Sequence, residues 1–360
     1  MNHSALMARA LQLAAKGSNT SFPNPRVGCV IAKNGEVLAE GWHVRAGESH
    51  AEVLALQQAG DKTKGADVYV TLEPCSHFGR TPPCADALIA AGVARVWVAM
   101  RDPNPQVAGA GIARLRAAGI AVEVGLLQAQ AAALNRGFVS RMRRRRPFVS
   151  VKLGASLDGR TAMASGESQW ITSQPSRADV HRRRASAGAV LTSAKTVMDD
   201  DPQLTVRLPD VVCERQPDRI VLDRAARLGA DAAVWKQGAR RFWVTAQAGD
   251  AFAGVTRLAA EATEQGFDLE NVLRQLADQQ INEVMVEAGA GLSGAFVQAG
   301  LADEVLIYMA PCLLGHEAQA MALLPGLEHL RQRVELVFSD IRQLGPDLRI
   351  LATPKISTVD

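Results

Sequence analysis

The sequence contains few aromatic residues and almost no surplus of charge of either sign. Phe, Trp and Tyr make up 4% of the 360 residues, so no aromatic platform on which nucleic-acid bases would stack is evident. Lys and Arg number 40 and Asp and Glu number 37, a formal net charge of +3 that is too small to indicate nucleic-acid binding. A phosphorylated small molecule, by contrast, would need only a local basic pocket.

Cysteine is also scarce. Five cysteines, an odd number in a chain of this length, do not indicate a disulfide framework. Residues 1–16 have the pattern of an amphipathic helix and lack the apolar stretch and cleavage site of a secretion signal. No apolar run in the sequence is long enough to span a membrane. These observations predict a cytoplasmic protein without a membrane partner.

Strand-like and helical patterns alternate along the chain, which indicates α/β sheets covered by helices. The runs VGCVIA and EVLAEG are joined through Asn34-Gly35, a strong hairpin signal. A second α/β pattern starts at PFVSVKLGAS, and the only dense charge run, RMRRRRP at 141–147, lies between the two patterns. We interpret that run as a solvated linker rather than a nucleic-acid arm. The sequence therefore predicts two domains, 1–144 and 145–360, which carry different motifs.

Three metal-binding side chains stand at the edges of predicted elements in the first half. His50 opens a predicted helix, Cys75 follows the strand-like run DVYVTLEP, and Cys84 opens the next helix. Zinc accepts one imidazole and two thiolates, and a catalytic site leaves its fourth position to water. Glu52 follows His50 closely enough to carry protons without binding the metal. This pattern matches the His-x-Glu and Pro-Cys signature of zinc nucleobase deaminases.

The spacing of the two cysteines departs from that signature, which places two residues between them. Here eight residues, SHFGRTPP, separate Cys75 from Cys84, so the general pattern alone leaves the second cysteine ligand open. Buried free thiols are one alternative interpretation. A structural zinc is another, although it would usually have four protein ligands, and His77 in the inserted segment is a conceivable fourth.

A glycine-rich segment in the second half has the form of a nucleotide-binding loop. Gly289, Gly291 and Gly294 form a G-x-G-x-x-G pattern between the strand-like EVMVE and a predicted helix at AFVQAG. Glycines let main-chain amides approach a pyrophosphate, and a helix N-terminus favours its charge. The usual acidic residue about 20 positions further on is absent, so an ordinary glycine-rich turn is an alternative to a nucleotide site on a non-Rossmann sheet.

Some charged residues of the second half have side chains suited to binding a small ligand. Arg184 and Arg207 can clamp a phosphate with paired hydrogen bonds, and Glu287 can accept hydrogen bonds from N–H and amino groups. For either arginine alone, a surface salt bridge is the commoner explanation. The three aspartates at 199–201 could bind a metal, but Asp-Pro followed by a strand more simply indicates a helix end and a turn.

The segments FPNPRVGCVI, GWHVRAGESHAE and TLEPCSHFGRTPPCADALI closely resemble the deaminase half of the bifunctional deaminase/reductase family of riboflavin biosynthesis. The inserted SHFGRTPP segment resembles that family's own variant of the cysteine pair. In the second half, VKLGASLDGRTA, SQWI and TVMDDDPQLTVR resemble the family's reductase half. The resemblance extends from about Leu6 to Arg349 and implies a cytidine-deaminase-like α/β/α domain followed by a dihydrofolate-reductase-like α/β domain.

The resemblance also implies roles for individual residues. Glu52 is the expected proton carrier, and His50, Cys75 and Cys84 are expected to bind one zinc ion per chain. The residues expected to contact NADPH are Gly154, Trp170, Thr196, Asp200 and the run Gly289, Ala290, Gly291, Leu292, Ser293, Gly294 and Ala295. Those expected near the substrate of the reductase are Ser168, Arg184, Leu204, Arg207 and Glu287. Those expected near the substrate of the deaminase are Asn24, His43, His77 and Arg80.

The activity that the resemblance implies has two steps. The first half would hydrolyse 2,5-diamino-6-(5-phosphoribosylamino)pyrimidin-4-one to the 5-amino-uracil, and the second half would use NADPH to reduce the ribosyl group to ribityl. A homo-oligomer is implied as well, either a homodimer through the reductase halves or a higher assembly. One rival hypothesis is a tRNA or nucleobase deaminase with an unrelated appended domain. The other is a nucleic-acid-binding module that uses RMRRRRP and a structural zinc, and the mild charge counts against both.

Overall fold

The computed structural model describes residues 2–76, 82–105, 107–209, 211, 213–236, 238–263 and 266–355. Contacts between residues divide the chain into two compact units, Met1–Arg145 and Arg146–Asp360. Each unit has its own sheet and its own buried cores. None of the helices in the described ranges combines the length and the apolar character that a membrane span requires.

Within its described residues, the first unit is a five-stranded sheet with helices on both faces. Its strands are β1 (Gly28–Lys33), β2 (Glu36–Trp42), β3 (Asp67–Val70), β4 (Arg95–Val98) and β5 (Ala121–Val124), in the spatial order β2-β1-β3-β4-β5. Its helices are α1 (His3–Ala15), α2 (Ala51–Ala59), α3 (Cys84–Ala90), α4 (Ala110–Ala117), α5 (Gln128–Leu134) and α6 (Arg136–Arg144). The pairing of β1 with β2 confirms the predicted hairpin, and β3, β4 and β5 are parallel.

Alternating side chains along the strands form two cores, one on each face of this sheet. On one face, residues such as Ile31 and Val68 pack against α2, α3 and α4. On the other face, residues such as Val30 and Tyr69 pack against α1, α5 and α6. Because β3 and β4 are parallel, the segments that follow Val70 and Val98 leave the sheet at the same edge.

The basic run at 141–147 contains the boundary between the two units and exposes Arg143, Arg144 and Arg145, as expected of a solvated linker, but its first four residues belong to helix α6. Helix α6 continues to Arg144 because Phe138 packs into the core beside α1 and holds the helix there despite its exposed charges. Arg145 ends the helix in the left-handed conformation, with φ 55°. Arg146 then pairs with both carboxylate oxygens of Asp303, at 3.0 and 2.9 Å, inside the second unit.

Within its described residues, the second unit is built around a nine-stranded sheet in the order β11-β10-β9-β8-β14-β6-β15-β18-β17. The strands of this unit are β6 (Phe148–Ser156), β7 (Arg160–Ala162), β8 (Ala189–Ser193), β9 (Asp218–Leu222), β10 (Arg241–Thr245), β11 (Thr256–Ala259), β12 (Ala262–Thr263), β13 (Gly266–Phe267), β14 (Glu283–Val286), β15 (Glu304–Ala310), β16 (Gln319–Ala320), β17 (Leu336–Leu344) and β18 (Asp347–Pro354). Its helices are α7 (Gln174–Ala187), α8 (Ala194–Asp200), α9 (Leu269–Asp278) and α10 (Ala290–Gln298). Short 3-10 helices of the chain span Lys16–Asn19, Gly60–Thr63, Ala233–Trp235 and Leu330–Gln332.

The large sheet is parallel from β11 to β15 and becomes antiparallel at β18 and β17. One face packs Leu191, Ile220 and Phe242 against α9 and α10, and the opposite face packs Val190 and Trp243 against α8. Two short pairs, β7 with β16 and β12 with β13, lie outside this sheet. The predicted α/β class is therefore confirmed in both units.

The aspartate run at 199–201 forms a helix end and a turn, as its sequence predicts. Helix α8 ends at Asp200, and Asp201 follows in the left-handed conformation with φ 37°. The Asp201 carboxylate accepts a hydrogen bond from the Ala233 N–H at 2.7 Å, so it is used within the protein.

Helix α10 begins at Ala290, earlier than the helix predicted at AFVQAG, so Gly291 and Gly294 lie inside it. Glycine disfavours helix, but tertiary packing decides the conformation here. A Cβ on Gly294 would lie 2.0 Å from the Leu323 carbonyl oxygen, so this glycine lets another segment pack directly on the helix. A Cβ on Gly291 would meet none of the described atoms within 4 Å.

Replacing either of these two glycines of α10 by alanine should change the free energy of unfolding, in opposite directions for the two positions. Gly294→Ala forces the helix and the Leu323 main chain apart and should lower the free energy of unfolding by about 1–3 kcal/mol. Gly291→Ala adds a helix-favouring side chain in open space and should raise it by roughly 0.5 kcal/mol. Urea unfolding of the full chain, followed by amide hydrogen exchange in α10, measures both. Equal stability of the two variants would contradict this account of the packing.

Candidate metal and nucleotide sites

Three potential metal ligands meet in the first unit. His50 directly precedes α2, Cys84 is the first residue of α3, and Cys75 lies on the segment after β3. The His50 Nδ1 lies 3.2 Å from the Cys84 Sγ and 3.6 Å from the Cys75 Sγ, and all three ligand atoms lie within 4.8 Å of one another. A tetrahedral zinc ion would space nitrogen and sulfur ligands roughly 3.5 Å apart. The donor atoms and their spacing therefore fit zinc.

The start of α3 holds the Cys75 sulfur and favours its ionised form. The Cys84 N–H donates a hydrogen bond to the Cys75 Sγ at 3.3 Å, and the Ala85 N–H donates one to the Cys75 carbonyl at 3.1 Å. The pKa of the Cys75 thiol is lowered by its hydrogen bonds with Cys84 and His50. A thiolate is the form of cysteine that binds metal ions, so this arrangement prepares Cys75 for that role.

Glu52 lies in the first turn of α2 with only 3% of its surface exposed. Burial raises the pKa of its carboxyl to about 7, against the opposing charge of His50. The Cys84 thiol is among the groups that influence this pKa, so the carboxyl lies at the edge of the metal site. A carboxyl with this pKa both accepts and releases a proton near neutral pH, as general acid–base catalysis requires.

Asn24 and His43 form a second layer beside His50. The His43 Nδ1 faces the Ser49 carbonyl at 3.2 Å, and its Nε2 lies 3.0 Å from the Asn24 amide nitrogen. The carbonyl can only accept, so His43 donates through Nδ1 and accepts from Asn24 through Nε2. The His43 ring meets the His50 ring edge-on at 5.3 Å. Two further residues predicted for this pocket, His77 and Arg80, lie outside the described residues.

Arg184 and Glu287 form a buried ion pair in the second unit. The Arg184 Nε and Nη2 atoms lie 2.5 and 2.9 Å from the two carboxylate oxygens of Glu287. Burial favours the neutral acid, but the charge and hydrogen bonds of Arg184 outweigh it, and the pKa of Glu287 is lowered. Lys152 adds a second positive charge, with its Nζ at 3.9 Å from Glu287. The paired face of Arg184, which sequence reasoning assigned to a phosphate, is thus occupied by Glu287.

Arg207 is the more exposed of the two predicted phosphate-binding arginines. Its Nη1 donates to the Thr205 hydroxyl at 2.8 Å, and Arg184 donates to the Thr205 carbonyl at 3.0 Å, so both arginines meet at Thr205. The Arg207 N–H lies 3.3 Å from the His181 Nδ1. Burial and the neighbouring arginines lower the pKa of His181 to about 4, which keeps its ring neutral and able to accept this hydrogen bond.

Two other residues predicted near the substrate are placed differently from each other. The Leu204 side chain is buried in the core beside α8, with φ 52°, so only its main chain is free to approach a ligand. Ser168 is half-buried.

Trp170, predicted to contact NADPH, exposes 70% of its surface and stacks beneath the Arg177 guanidinium, 4.5 Å from the ring centre.

The segments predicted to bind NADPH come together where β8 and β14 end. These strands are parallel neighbours, and α8 and α10 begin beyond them. The Gly289 N–H donates to the Thr196 hydroxyl at 3.3 Å and joins the two helix starts. Gly289 and Gly291 are exposed and have open space beside them, so a phosphate can approach the N-terminus of α10. Ser293 and Gly294 are buried and lie on its packed side.

The remaining predicted cofactor contacts lie on neighbouring elements. Gly154 belongs to β6, where an added Cβ would lie 3.7 Å from the Lys152 Nζ. Asp200 ends α8, and burial together with Asp199 raises the pKa of its carboxyl. Sequence reasoning did not single out His181 or Glu73 as site residues. Glu73 carried one signal, its position directly before Pro74-Cys75 at the end of a buried strand.

Comparison with known proteins places both units. The family model described as the RibD C-terminal domain matches residues 147–350, and the cytidine and deoxycytidylate deaminase zinc-binding region matches residues 1–100. Riboflavin biosynthesis protein RibD of Escherichia coli strain K12 is 52% identical over 95% of this chain and 96% of its own length. The corresponding Haemophilus influenzae protein is 47% identical over 97% and 96%.

Two solved structures match along almost the whole chain. Acinetobacter baumannii RibD has 44% sequence identity and a TM-score of 0.92, covering 98% of this chain and 99% of that one. A Thermotoga maritima diaminohydroxyphosphoribosylaminopyrimidine deaminase/5-amino-6-(5-phosphoribosylamino)uracil reductase has 33% identity and a TM-score of 0.89, with the same coverage.

Removal of either thiol should empty the metal site. Zinc analysis of the dialysed full-length protein should give one ion per chain, and Cys75→Ser and Cys84→Ser should each reduce this at least tenfold, because a neutral hydroxyl is a poor zinc ligand. Cys213→Ser, in the second unit and outside the cluster, is the matched control and should keep its zinc. Full zinc content in both ligand variants would show that the metal binds elsewhere.

Proposed function

The chain belongs to the RibD family of bifunctional riboflavin biosynthesis enzymes, with a zinc-binding deaminase domain and an NADPH-using reductase domain, and on this premise we propose how its residues divide the two reactions. We assign the deaminase to residues 1–144 and the reductase to residues 145–360. The ranges of the two family models and the boundary between the two compact units support this division.

We propose that the deaminase acts on 2,5-diamino-6-(5-phosphoribosylamino)pyrimidin-4-one and yields the 5-amino-uracil. The reductase then converts the ribosyl group of that product to ribityl. The name of the similar Thermotoga maritima enzyme gives that protein the same pair of substrates. The observation that carries the assignment to this chain is the buried Glu52 carboxyl beside His50, Cys75 and Cys84.

In the deaminase reaction, Glu52 carries protons between water and the leaving amine. His50, Cys75 and Cys84 would hold the zinc ion, whose charge would make a water molecule acidic enough to attack at neutral pH. As the oxygen of the attacking water bonds to C2 of the pyrimidine, the Glu52 carboxyl takes up the protons of that water and delivers one to the ring nitrogen N3 and one to the exocyclic amine. The bond between C2 and that amine then breaks, ammonia leaves, and the C2 carbonyl of the uracil forms. The Glu52 pKa of about 7 suits both transfers. The Asn24 amide, oriented by its hydrogen bond with His43, lies where it can bind the pyrimidine, and His77 is proposed beside it.

In the reductase reaction, the second unit positions the cofactor and keeps the substrate's charges paired. NADPH supplies the hydride for C1 of the ribosyl group. In the segment from Gly289 to Ala295, the N–H groups in the first turn of α10 (Ala290, Gly291 and Leu292) are proposed to bind its pyrophosphate beside Thr196, while Ser293, Gly294 and Ala295 continue the helix behind them. Gly154, Trp170 and Asp200 are proposed to complete the cofactor site.

The substrate of the reductase is proposed to lie beside the buried Arg184–Glu287 pair. Glu287 stays ionised and accepts hydrogen bonds from the pyrimidine, while Arg184 fixes its orientation. Arg207, which is exposed and has free donors, binds the phosphate. Ser168 and the main chain of Leu204 are proposed to contact the ribosyl group.

We also propose that the chain forms a homodimer through its reductase unit and works in the cytoplasm without nucleic acid. Edge strand β17 exposes Val337, Phe338 and Ile341, with 49%, 61% and 55% of their surfaces accessible, which suits pairing with a second copy. The thiol ligands of the zinc site are functional only when reduced, which suits a reducing compartment.

An assay that follows ammonia release and NADPH oxidation together tests the order of the two reactions. With the diaminopyrimidinone substrate, the wild type should give both signals. Glu52→Gln cannot carry the proton and should lose ammonia release at least about 100-fold, and with it NADPH oxidation. The same variant should still reduce the uracil intermediate at the wild-type rate. NADPH oxidation without ammonia release would refute the deaminase assignment, and ammonia release alone would refute the reductase assignment.

Gly291→Ala separates cofactor binding from stability. Because the added methyl projects into the open space at the start of α10, it should obstruct the pyrophosphate and raise the KM for NADPH about tenfold, a loss of roughly 1.4 kcal/mol. Ammonia release by the same protein should stay unchanged and is the internal control. An unchanged KM would place the cofactor away from this helix.

A further inference from the structure

Glu73 is a buried carboxylate on the segment after β3, three residues beyond Val70 and two before Cys75, and neither proposed reaction uses it. Both of its carboxylate oxygens accept two main-chain hydrogen bonds. The four donors are the N–H groups of Asp102, Gly109, Gly111 and Ile112, at 3.2, 3.0, 3.0 and 3.2 Å. The last three belong to the N-cap and first turn of α4, so a residue from another segment caps this helix.

The same helix start packs on the main chain next to Cys75. A Cβ on Gly111 would lie 1.9 Å from the Pro74 carbonyl oxygen, so only glycine permits this approach. On the other side, the first residues of α3 donate hydrogen bonds to the Cys75 sulfur and carbonyl. The Pro74-Cys75 segment is therefore held between the N-termini of two helices.

We propose that Glu73 is a positioning residue for the zinc site: by binding the start of α4, it fixes the main chain that directs the Cys75 sulfur toward the metal. The inference rests on the ligand set proposed above. Hydrogen bonds to an ionised group are stronger than those between neutral groups, and the N-terminus of α4 also favours the negative charge. Four such bonds leave the Glu73 main chain, and hence the residue pair after it, little freedom to move.

Replacing Glu73 by glutamine would remove two of the four hydrogen bonds with little change in the volume of the side chain. A glutamine side chain has one carbonyl oxygen, and its NH2 group would face two main-chain N–H groups that then lack acceptors. The start of α4 must shift to relieve this, and Pro74 must move with it. Residues that orient metal ligands typically change metal affinity or activity by about 10–100-fold when they are replaced.

The experiment compares full-length Glu73→Gln with Asn2→Ala and Cys75→Ser. Asn2→Ala removes the side-chain cap of α1, whose oxygen accepts from the Ala5 N–H at 3.1 Å, and is the matched loss of a helix cap in the same unit. Transfer of zinc to a chromogenic chelator is followed at a temperature where every variant is folded. The kcat for ammonia release is expressed per bound zinc ion, and the KM is measured in the same assay.

If Glu73 is a positioning residue, Glu73→Gln should release zinc about tenfold faster than the wild type. Its kcat for ammonia release should fall, with little change in KM. Asn2→Ala should match the wild type in both measurements even where its melting temperature falls. Glu73→Asp keeps the charge on a shorter side chain and should lie between the wild type and Glu73→Gln. It also serves as the test variant should Glu73→Gln fail to fold.

Two results would overturn the proposal, and they are distinguishable. If the Glu73 variants melt earlier but release zinc and turn over per zinc as the wild type does, Glu73 is only a cap of α4. If Cys75→Ser holds zinc as tightly as the wild type, the ligand set itself is wrong and the positioning role falls with it.

Discussion

The main-chain N–H groups in the first turn of a helix have no acceptors within the helix, and both units place these turns at their sites. In the first unit, α2 begins after His50, α3 begins at Cys84, and α4 receives the Glu73 carboxylate. In the second unit, the Ser193 hydroxyl caps α8, and α10 begins at Ala290. The parallel strands bring several of these helix starts to one edge of each sheet. The unpaired N–H groups there require hydrogen-bond acceptors, and thiolates, carboxylates and phosphates can serve as such acceptors.

Close approach of main chain to main chain is the second requirement of these helix starts. Gly111 admits the Pro74 carbonyl, and Gly294 admits the Leu323 carbonyl, at positions where a Cβ would lie 1.9 and 2.0 Å from oxygen. Neither glycine has a φ in the left-handed region. Glycine is required at these positions because it has no side chain, and not because of the backbone conformation. Gly291, by contrast, keeps open space on the outer side of α10. In α10, Gly294 therefore allows close packing against Leu323, whereas Gly291 leaves space on the exposed side of the helix.

Much of the metal site could be predicted from the sequence, and much of its surroundings could not. His50, Glu52 and the cysteines stand at element ends, where local patterning and spacing reveal them. The Arg184–Glu287 pair joins residues 103 positions apart, and local periodicity carries no information on such contacts. The sequence predicts the start of α10 too late because its glycines have the pattern of a loop, and the Leu323 contact that packs on Gly294 lies far away in the sequence. The helical start of the basic run at 141–147 is not evident from its charge, because the helix there depends on the buried Phe138 earlier in α6.

Glu52 and Glu287 show how one residue type can serve two chemistries in one chain. Both are almost fully buried, with 3% and 8% of their surfaces exposed, and burial raises the pKa of an isolated carboxyl. For Glu52 this effect prevails and the pKa rises to about 7, whereas Arg184 reverses it for Glu287. A proton carrier must exchange its proton near neutral pH, and a permanent acceptor must never be protonated. The charged groups beside a buried glutamate, above all Arg184 and then Lys152 for Glu287, therefore decide which of these roles it can perform.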